Sequence, residues 1–214
     1  MRQVAKASQV LRGHVGDLWE QYVRHPFVVS LKEGTLPRDA FRYYLIQDAK
    51  YVAEMQRAVI RASSMAPLEE AVEVITAVFG NPQRGKEVHE RLYSALSITD
   101  EEVRNTGFNL VNYAYTRHLH YYASQGWPLF LAAWAPCMWG YREIGAFAAS
   151  TADPIYREWA SFYSSDDYER RVAAVLDVLD RYEVTLDMLR AFLNSVRFEI
   201  MFWEAALRME PTIY

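Results

Sequence analysis

The sequence predicts an all-α protein, a multi-helix bundle in which residues 1–214 form a single domain. The 9 glycines and 8 prolines cluster between segments whose apolar residues recur at helical spacing. No run alternates apolar and polar residues for long enough to predict a strand. A chain of 214 residues suits one domain, or at most two small ones, and can bury a large core without disulfides or metal. The chain has no repeat, low-complexity segment or linker, so we expect one domain.

Predicted helices follow one another along the chain. The first covers residues 4–24 and ends before His25-Pro26, because the residue before a proline avoids the α region. We expect a short turn over 27–31, and then a helix that Thr35 or Pro37 opens and that runs to residue 65. Gly126 closes one later helix, and Pro128 opens the next. The remaining helices are predicted over 67–79, 83–97, 99–124, from 128 onward, 154–164, 165–182 and 185–209.

Charge and composition exclude some classes of protein. The net charge is −4, and the sequence has no basic tract beyond Arg170-Arg171, which argues against an electrostatic nucleic-acid binder. The N-terminal segment has no unbroken apolar region, so we expect no signal peptide. A single cysteine cannot form an internal disulfide and fits a reducing, cytoplasmic environment. The uncharged run over 119–141 contains prolines and polar residues, so we interpret it as buried helix rather than as a membrane span.

That run includes the only cysteine, Cys137, among tryptophan, tyrosine and methionine residues. Free cysteine is among the most buried residue types, so Cys137 can be an ordinary small core residue. It can also be a nucleophile on a helix, held in an aromatic pocket. Pro136 predicts a helix kink one residue before the thiol, and Tyr141, four residues later, shares its helical face.

Two carboxylates lie on the apolar faces of predicted helices. On a helical wheel, the charged residues of the helix over 35–65 fill one arc of about 160°, and Asp48 lies opposite the centre of that arc. In the last helix, Glu199 lies about 160° from a cluster of charged residues. An unpaired buried carboxylate costs several kcal/mol in order of magnitude. Each acid therefore has a structural hydrogen-bond partner, a raised pKa or a function.

Aromatic residues accompany both acids. Tyr51 follows Asp48 by three residues, and Phe202 follows Glu199 by three, so each ring lies over the face of its acid. Tyr115 and Tyr163 add phenol groups on other predicted helices. Together these residues suit a flat heteroaromatic ligand that is stacked on rings and held at its edges by carboxylates and hydroxyls.

Six sequence segments span nearly the whole chain: HPFV at 25–28, GTLPRDAFRYYLIQDAKY at 34–51, YAYTRH at 113–118, PCMWGY at 136–141, PIYREWASFY at 154–163 and FEIMFWEAA at 198–206. These segments resemble motifs of the TenA family, also called thiaminase II, and occur in the family's order. With its cysteine, the chain resembles the cysteine-bearing subclass in particular.

The resemblance implies a haem-oxygenase-like all-α fold and hydrolysis at the methylene group on C5 of a 4-amino-2-methylpyrimidine, either the 5-aminomethyl compound or thiamin itself. It implies that Cys137 is the nucleophile, Glu199 the acid/base on a ring nitrogen, and Asp48 the ligand of the exocyclic amino group and its neighbouring nitrogen. It also implies a homotetramer without metal or cofactor. The positions implied to line the pocket are Tyr51, Tyr115, Tyr141, Tyr163 and Phe202. The sequence identifies no histidine or lysine beside Cys137 that would deprotonate it.

Three other classes of protein are alternatives for these residues. A di-iron carboxylate protein needs Glu-x-x-His pairs, and none of the five histidines follows a glutamate at that spacing. A haem oxygenase would need an axial histidine in the first helix, for which His14 is available, but it would leave Cys137 and Glu199 without a role. A non-catalytic pyrimidine-binding or regulatory protein would keep the pocket and could dispense with the thiol, and it stays open as the alternative.

Overall fold

The computed structural model describes residues 5–213, and in that range the prediction of an all-α protein is confirmed. The only β pairing among these residues is an isolated bridge between Asn109 and Thr212. The helices are α1 (Ala7–Val15), α2 (Leu18–Val23), α3 (Pro26–Glu33), α4 (Arg38–Ser63), α5 (Leu68–Phe79), α6 (Gln83–Leu96), α7 (Asp100–Asn105), α8 (Leu110–Ala123), α9 (Trp127–Ala148), α10 (Pro154–Tyr163), α11 (Asp166–Leu179) and α12 (Leu186–Arg208).

The N-terminal part differs from the prediction in two places. The expected first helix begins at Val4, outside the described residues, and within them it breaks into α1 and α2 at Gly16, whose φ of 50° favours glycine. The predicted turn over 27–31 is wrong, because α3 occupies those residues. Pro26 is the first helical residue, and the His25 ring caps α3 by accepting a hydrogen bond from the Phe27 N–H at 3.2 Å. The same proline that ends one helix thus opens the next.

The helix predicted over 99–124 is two helices. Thr99 caps α7 as expected, with its hydroxyl accepting from the Glu102 N–H at 3.1 Å. α8 starts afresh at the Asn109 cap, and the Gln47 side chain of α4 bonds both the Gly107 carbonyl and the Asn109 N–H. A side chain distant in sequence thus stabilises the break. The bounds of the other predicted helices agree with the structure within three residues.

Helix α9 is the centre of the bundle. It packs against α2, α3, α4, α8, α10, α11 and α12, and every residue from 130 to 138 is buried. A helix that is buried on all sides must be apolar all round. Within the uncharged run over 119–141, the interpretation as buried helix is therefore confirmed for 130–138, whereas Tyr121, Ser124 and Gln125 are exposed at the end of α8 and in the turn that follows it. None of the helices within residues 5–213 is long and apolar enough to cross a membrane. One continuous cluster of buried side chains extends from Ala7 to Ala206.

Two glycines of α9 allow other helices to approach its backbone. A Cβ atom on Gly140 would lie 2.1 Å from Cε1 of Tyr22, and one on Gly145 would lie 2.5 Å from Cβ of Tyr163. Both distances are too short for any side chain, so α2 and the end of α10 pack directly on the turns that follow Cys137.

Candidate active site

Asp48 lies on the inward face of α4 and is 6% exposed. Burial raises its pKa from 3.8 to about 7, and no neighbouring cation opposes that shift. The hydroxyls of Tyr44, Tyr141 and Tyr163 lie near enough for the Asp48 charge to raise their pKa further, after burial itself. The wheel-based prediction of a buried carboxylate is therefore confirmed, and its setting is phenolic and apolar.

Glu199, on α12, is only 2% exposed. Its Oε1 accepts a hydrogen bond from the Tyr115 hydroxyl at 2.7 Å. Burial raises the pKa of Glu199 to about 8; the Tyr115 hydrogen bond opposes this rise, and the charge of Asp48 adds to it. A carboxyl group with such a pKa is partly protonated near neutral pH, as a general acid requires.

Cys137 is 8% exposed and lies beside both Glu199 and Tyr51. Burial and then the Glu199 charge raise the pKa of the thiol well above its usual range, and contact with the Tyr51 hydroxyl partly opposes them. The thiol is therefore neutral at rest. No histidine or lysine is among the causes that shift its pKa; the neighbouring acids that raise it are Glu199 and Asp48.

Tyr51 and Tyr115 form one wall of the site. Their ring centroids are 5.0 Å apart, and Phe202 lies 6.0 Å from Tyr51 in an edge-to-face arrangement. The Tyr51 hydroxyl is buried and has no hydrogen-bond partner of good geometry among residues 5–213. Because an unsatisfied buried donor is costly, this hydroxyl is available to a bound ligand.

A second wall of the site contains Tyr141 and Tyr163, whose ring centroids are 5.0 Å apart. Gly145 permits the approach of Tyr163, as described above. Tyr44, which the sequence analysis did not single out, joins the two walls. Its hydroxyl donates to the Tyr141 hydroxyl at 3.4 Å, and its ring meets that of Phe202 edge-on at 6.2 Å.

All eight residues predicted for the site thus belong to one connected group. The charge of Asp48 raises the pKa of Glu199, and the charges of both acids raise the pKa of Cys137. Tyr44 was missed, although it precedes Asp48 by four residues and so shares its face. Tyr22, whose hydroxyl donates to the Pro136 carbonyl at 3.3 Å, was missed because its helix is distant in sequence and carried no motif.

The site contains two carboxyl groups and a thiol, with no cationic side chain among the causes that shift their pKa. Burial makes the charged form of each group less favourable, so the protonated forms are favoured. A ligand that offers N–H donors and basic ring nitrogens relieves that penalty. Within the described range, no three His, Cys, Asp or Glu residues are grouped as a metal site would require, and His14 is exposed on α1.

The described residues thus form an all-α bundle in which a buried thiol and two buried acids lie among aromatic rings. The model of the TENA/THI-4/PQQC family matches residues 13–209. The chain therefore belongs to that family.

Individual relatives agree with this assignment. The chain is 28% identical to the aminopyrimidine aminohydrolase of Bacillus subtilis (strain 168), over 96% of this chain and 91% of that one. It superimposes on a crystal structure described as a TenA-like thiaminase of Sulfolobus solfataricus P2 with a TM-score of 0.93 and 47% identity, covering 97% and 99% of the two chains. A structure from Silicibacter sp. TM1040, described as a TenA family transcription regulator, gives a TM-score of 0.84 and 30% identity, with 95% and 97% covered. The fold is haem-oxygenase-like, as the resemblance implied.

Proposed function

We propose that this chain is a thiaminase II-type enzyme that hydrolyses the C5-methylene substituent of 4-amino-2-methylpyrimidines. The substrates would be 4-amino-5-aminomethyl-2-methylpyrimidine and thiamin, and the common product 4-amino-5-hydroxymethyl-2-methylpyrimidine, salvaged in thiamin metabolism. One observation carries the proposal. The only thiol of the chain, that of Cys137, is buried beside Glu199, whose pKa is about 8. The charge of a second buried acid, Asp48, which has a pKa of about 7, raises the pKa of both groups. The name of the B. subtilis relative supports the substrate class.

Asp48 would bind the amino edge of the pyrimidine. A carboxyl group with a pKa near 7 can accept a hydrogen bond from the exocyclic amino group and, when protonated, donate one to the adjacent ring nitrogen. This two-point contact matches an aminopyrimidine and leaves neither partner unsatisfied. The rings of Tyr51, Tyr141 and Phe202 would hold the flat heterocycle, and the free Tyr51 hydroxyl would supply a further polar contact.

Cys137 and Glu199 would carry the covalent step. Glu199, in its ionised form, takes the thiol proton, and the sulfur forms a bond to an electron-poor ring carbon. Glu199 then gives that proton to the ring nitrogen that receives the electron pair. This transfer would deprotonate the thiol without histidine or lysine, since Glu199 lies close enough to Cys137 for each group to shift the pKa of the other. The raised pKa suits Glu199 to both directions of transfer.

The leaving group departs from the side methylene in the next step. The electron pair gained by the ring expels ammonia from the protonated aminomethyl group, or neutral thiazole from thiamin, leaving an exocyclic methylene group on the ring. Water adds to that carbon, becomes the hydroxyl of the product and releases its second proton to the ammonia or to solvent. The ring nitrogen then loses its proton to Glu199, the carbon–sulfur bond breaks, and Glu199 reprotonates Cys137. The sum is substrate plus water giving alcohol plus an ammonium ion, or alcohol plus thiazole and a proton, with the protein unchanged and no cofactor taking part.

The alternative is a non-catalytic pyrimidine-binding or regulatory protein of the same fold, and the Silicibacter structure described as a transcription regulator is the observation that favours it. A binding protein needs Asp48 and the rings but has no use for a nucleophile. The two functions therefore differ in what the loss of the Cys137 thiol would do.

The test is turnover of both substrates by the wild type and by Cys137→Ser, with ammonia and the hydroxymethyl product measured. Serine at its ordinary pKa is a poor nucleophile, so kcat should fall by at least ~10²-fold while the product still binds. Ser64→Ala, an exposed change at the end of α4, serves as the matched control and should keep wild-type turnover. Near-normal turnover by Cys137→Ser would exclude covalent catalysis, and absence of turnover by the wild type would favour the binding protein.

We further propose that the enzyme is a cytoplasmic homotetramer. Several large apolar side chains are solvent-exposed in the single chain and would lose that exposure in an assembly. The largest exposures are those of Leu68, Leu186, Ile60 and Ile213, at 78%, 72%, 65% and 64%.

A further inference from the structure

The helical turn that carries Cys137 lacks one backbone hydrogen bond. Pro136 has no N–H, so the carbonyl of Ala132 has no α-helical donor four residues later. A proline inside a helix is a common position for bending. Helix α9 nevertheless runs without interruption from Trp127 to Ala148. Something outside the helix must therefore define the direction in which this turn presents the thiol.

The Tyr22 side chain contacts this turn from α2. It is fully buried, and its hydroxyl donates to the Pro136 carbonyl at 3.3 Å. That carbonyl belongs to the peptide group whose nitrogen is the backbone nitrogen of Cys137. Gly140 makes the contact possible, since a Cβ atom there would lie 2.5 Å from the Tyr22 hydroxyl oxygen and 2.1 Å from Cε1.

The Ser195 side chain contacts the same turn from α12. Its hydroxyl donates to the Ala133 carbonyl at 2.6 Å, and in an α-helix that carbonyl is the acceptor for the Cys137 N–H. A serine hydroxyl has one proton, which this bond uses. Ser195 must therefore accept from Nε2 of His118, 2.8 Å away, so the imidazole carries its hydrogen on Nε2. Ser195 is itself completely buried.

We propose that Tyr22 and Ser195 are positioning residues that hold the backbone of α9 on either side of the missing hydrogen bond and so aim the Cys137 thiol at its reaction partner. The two hydroxyls come from different helices, α2 and α12, and bond the carbonyls that flank the proline turn. Ser195 precedes Glu199 by four residues and lies on the same face of α12. One helix thus fixes both the thiol-bearing turn and the acid beside the thiol. This inference rests on the proposed function, in which Cys137 is the nucleophile.

Tyr22→Phe and Ser195→Ala each remove one hydroxyl and leave the rest of the contact. Because a misplacement of about 1 Å can cost ~10²-fold in rate, we expect kcat to fall by roughly 10-fold in each variant and by more in the double variant. KM and product affinity should change less than about 2-fold, since both hydroxyls donate to backbone carbonyls of α9 and not to the groups proposed to bind the pyrimidine. Cys137 is the only cysteine, so iodoacetamide labels one thiol, and its rate constant should change at least ~3-fold.

The matched controls are Tyr156→Phe and Thr151→Val. Both wild-type residues are buried, and their hydroxyls donate to the carbonyls of Leu36 and Leu31, respectively, rather than to the turn of α9 that carries Cys137. These variants should show a comparable fall in melting temperature but unchanged kcat and unchanged alkylation rate. The controls separate a loss of stability, which any buried hydroxyl can cause, from a loss of thiol positioning.

Wild-type kcat and wild-type alkylation rate in both Tyr22→Phe and Ser195→Ala would overturn the inference, whatever their melting temperatures. If Cys137→Ser loses turnover in the same experiment while both hydroxyl variants behave like the wild type, Cys137 remains the proposed nucleophile and only the positioning roles of Tyr22 and Ser195 are refuted. Normal turnover by Cys137→Ser would overturn both. A fall in kcat that the two controls share equally would also overturn the positioning roles, because it would trace to stability alone.

Discussion

Replacing Glu199 by glutamine tests the central acid of the site by two independent measurements. The side chains have nearly the same shape, and glutamine can still accept the hydrogen bond that the Tyr115 hydroxyl donates at 2.7 Å. The variant therefore keeps the packing but can neither ionise nor carry a proton. Its effects on stability and on rate follow from the pKa of a single group.

The effect on stability depends on pH. Burial raises the pKa of Glu199 from 4.5 to about 8, so between these values the folded protein holds a proton that the unfolded chain releases. Stability is lost as pH rises through this window. The Glu199 contribution that disappears between pH 5 and pH 8 is roughly 3 kcal/mol by linkage, or about 6–12 °C in Tm for a chain of this size. In the glutamine variant, the dependence of stability on pH should lose the part due to Glu199 and keep the part due to Asp48.

The assays are thermal unfolding at several pH values and the pH–rate profile of the hydrolysis. In Glu199→Gln, kcat should fall by ~10²–10⁴-fold, the usual span for general acid–base groups. The exposed Glu87→Gln in α6 is the control with the same substitution and should change neither slope nor rate. A flattened Tm profile with unchanged kcat would mean that Glu199 titrates but is not the proton carrier. If neither the pH dependence of Tm nor kcat changed, Glu199 would not be a buried acid with a raised pKa, and the reasoning would be refuted.

Two further substitutions test the rest of the site. Asp48→Asn should raise the Kd of the hydroxymethyl product by at least ~10-fold, because the amide N–H groups oppose the pyrimidine amino group; calorimetric titration checks this, and unchanged affinity would make Asp48 a structural residue. Gly145→Ala should destabilise the protein by roughly 1–3 kcal/mol through overpacking, since the new Cβ atom would lie 2.5 Å from Cβ of Tyr163. The control Gly13→Ala has open space around its Cβ atom and should not destabilise the protein. Denaturant unfolding measures both, and equal effects would contradict the close contact between α9 and α10.

The acids of the site were predictable because helical periodicity is a local property. Asp48 and Glu199 stand out among apolar neighbours at a spacing of 3.6 residues per turn, and the structure buries both. The same periodicity predicted α4, α9 and α12 closely. It could not predict that the helix over 99–124 divides, because the Gln47 side chain that bonds the Asn109 N–H at 3.1 Å comes from another helix.

The residues that the sequence analysis missed depend on contacts between helices. Tyr22 has no distinctive neighbour in its own helix, and its relation to Gly140 appears only when α2 and α9 are packed together. Tyr44 lies on the same face as Asp48, but its place between the two walls depends on Tyr141 of α9. Sequence spacing reports which residues share a face of one helix, and it carries no information about which faces meet.

The deprotonation of Cys137 illustrates the same distinction. The sequence contains no histidine or lysine near the thiol, and a search restricted to those bases leaves its activation unexplained. In the folded chain the neighbouring acceptor is Glu199, 62 residues further along the chain. Burial disfavours the thiolate and the carboxylate alike, so two negative charges together would be especially costly. In the proposed mechanism one negative charge is shared between the sulfur and the carboxyl group, which avoids that cost, and the charge returns to Glu199 when the ring nitrogen takes up the thiol proton. A site without cations therefore favours a proton transfer coupled to attack over a preformed thiolate.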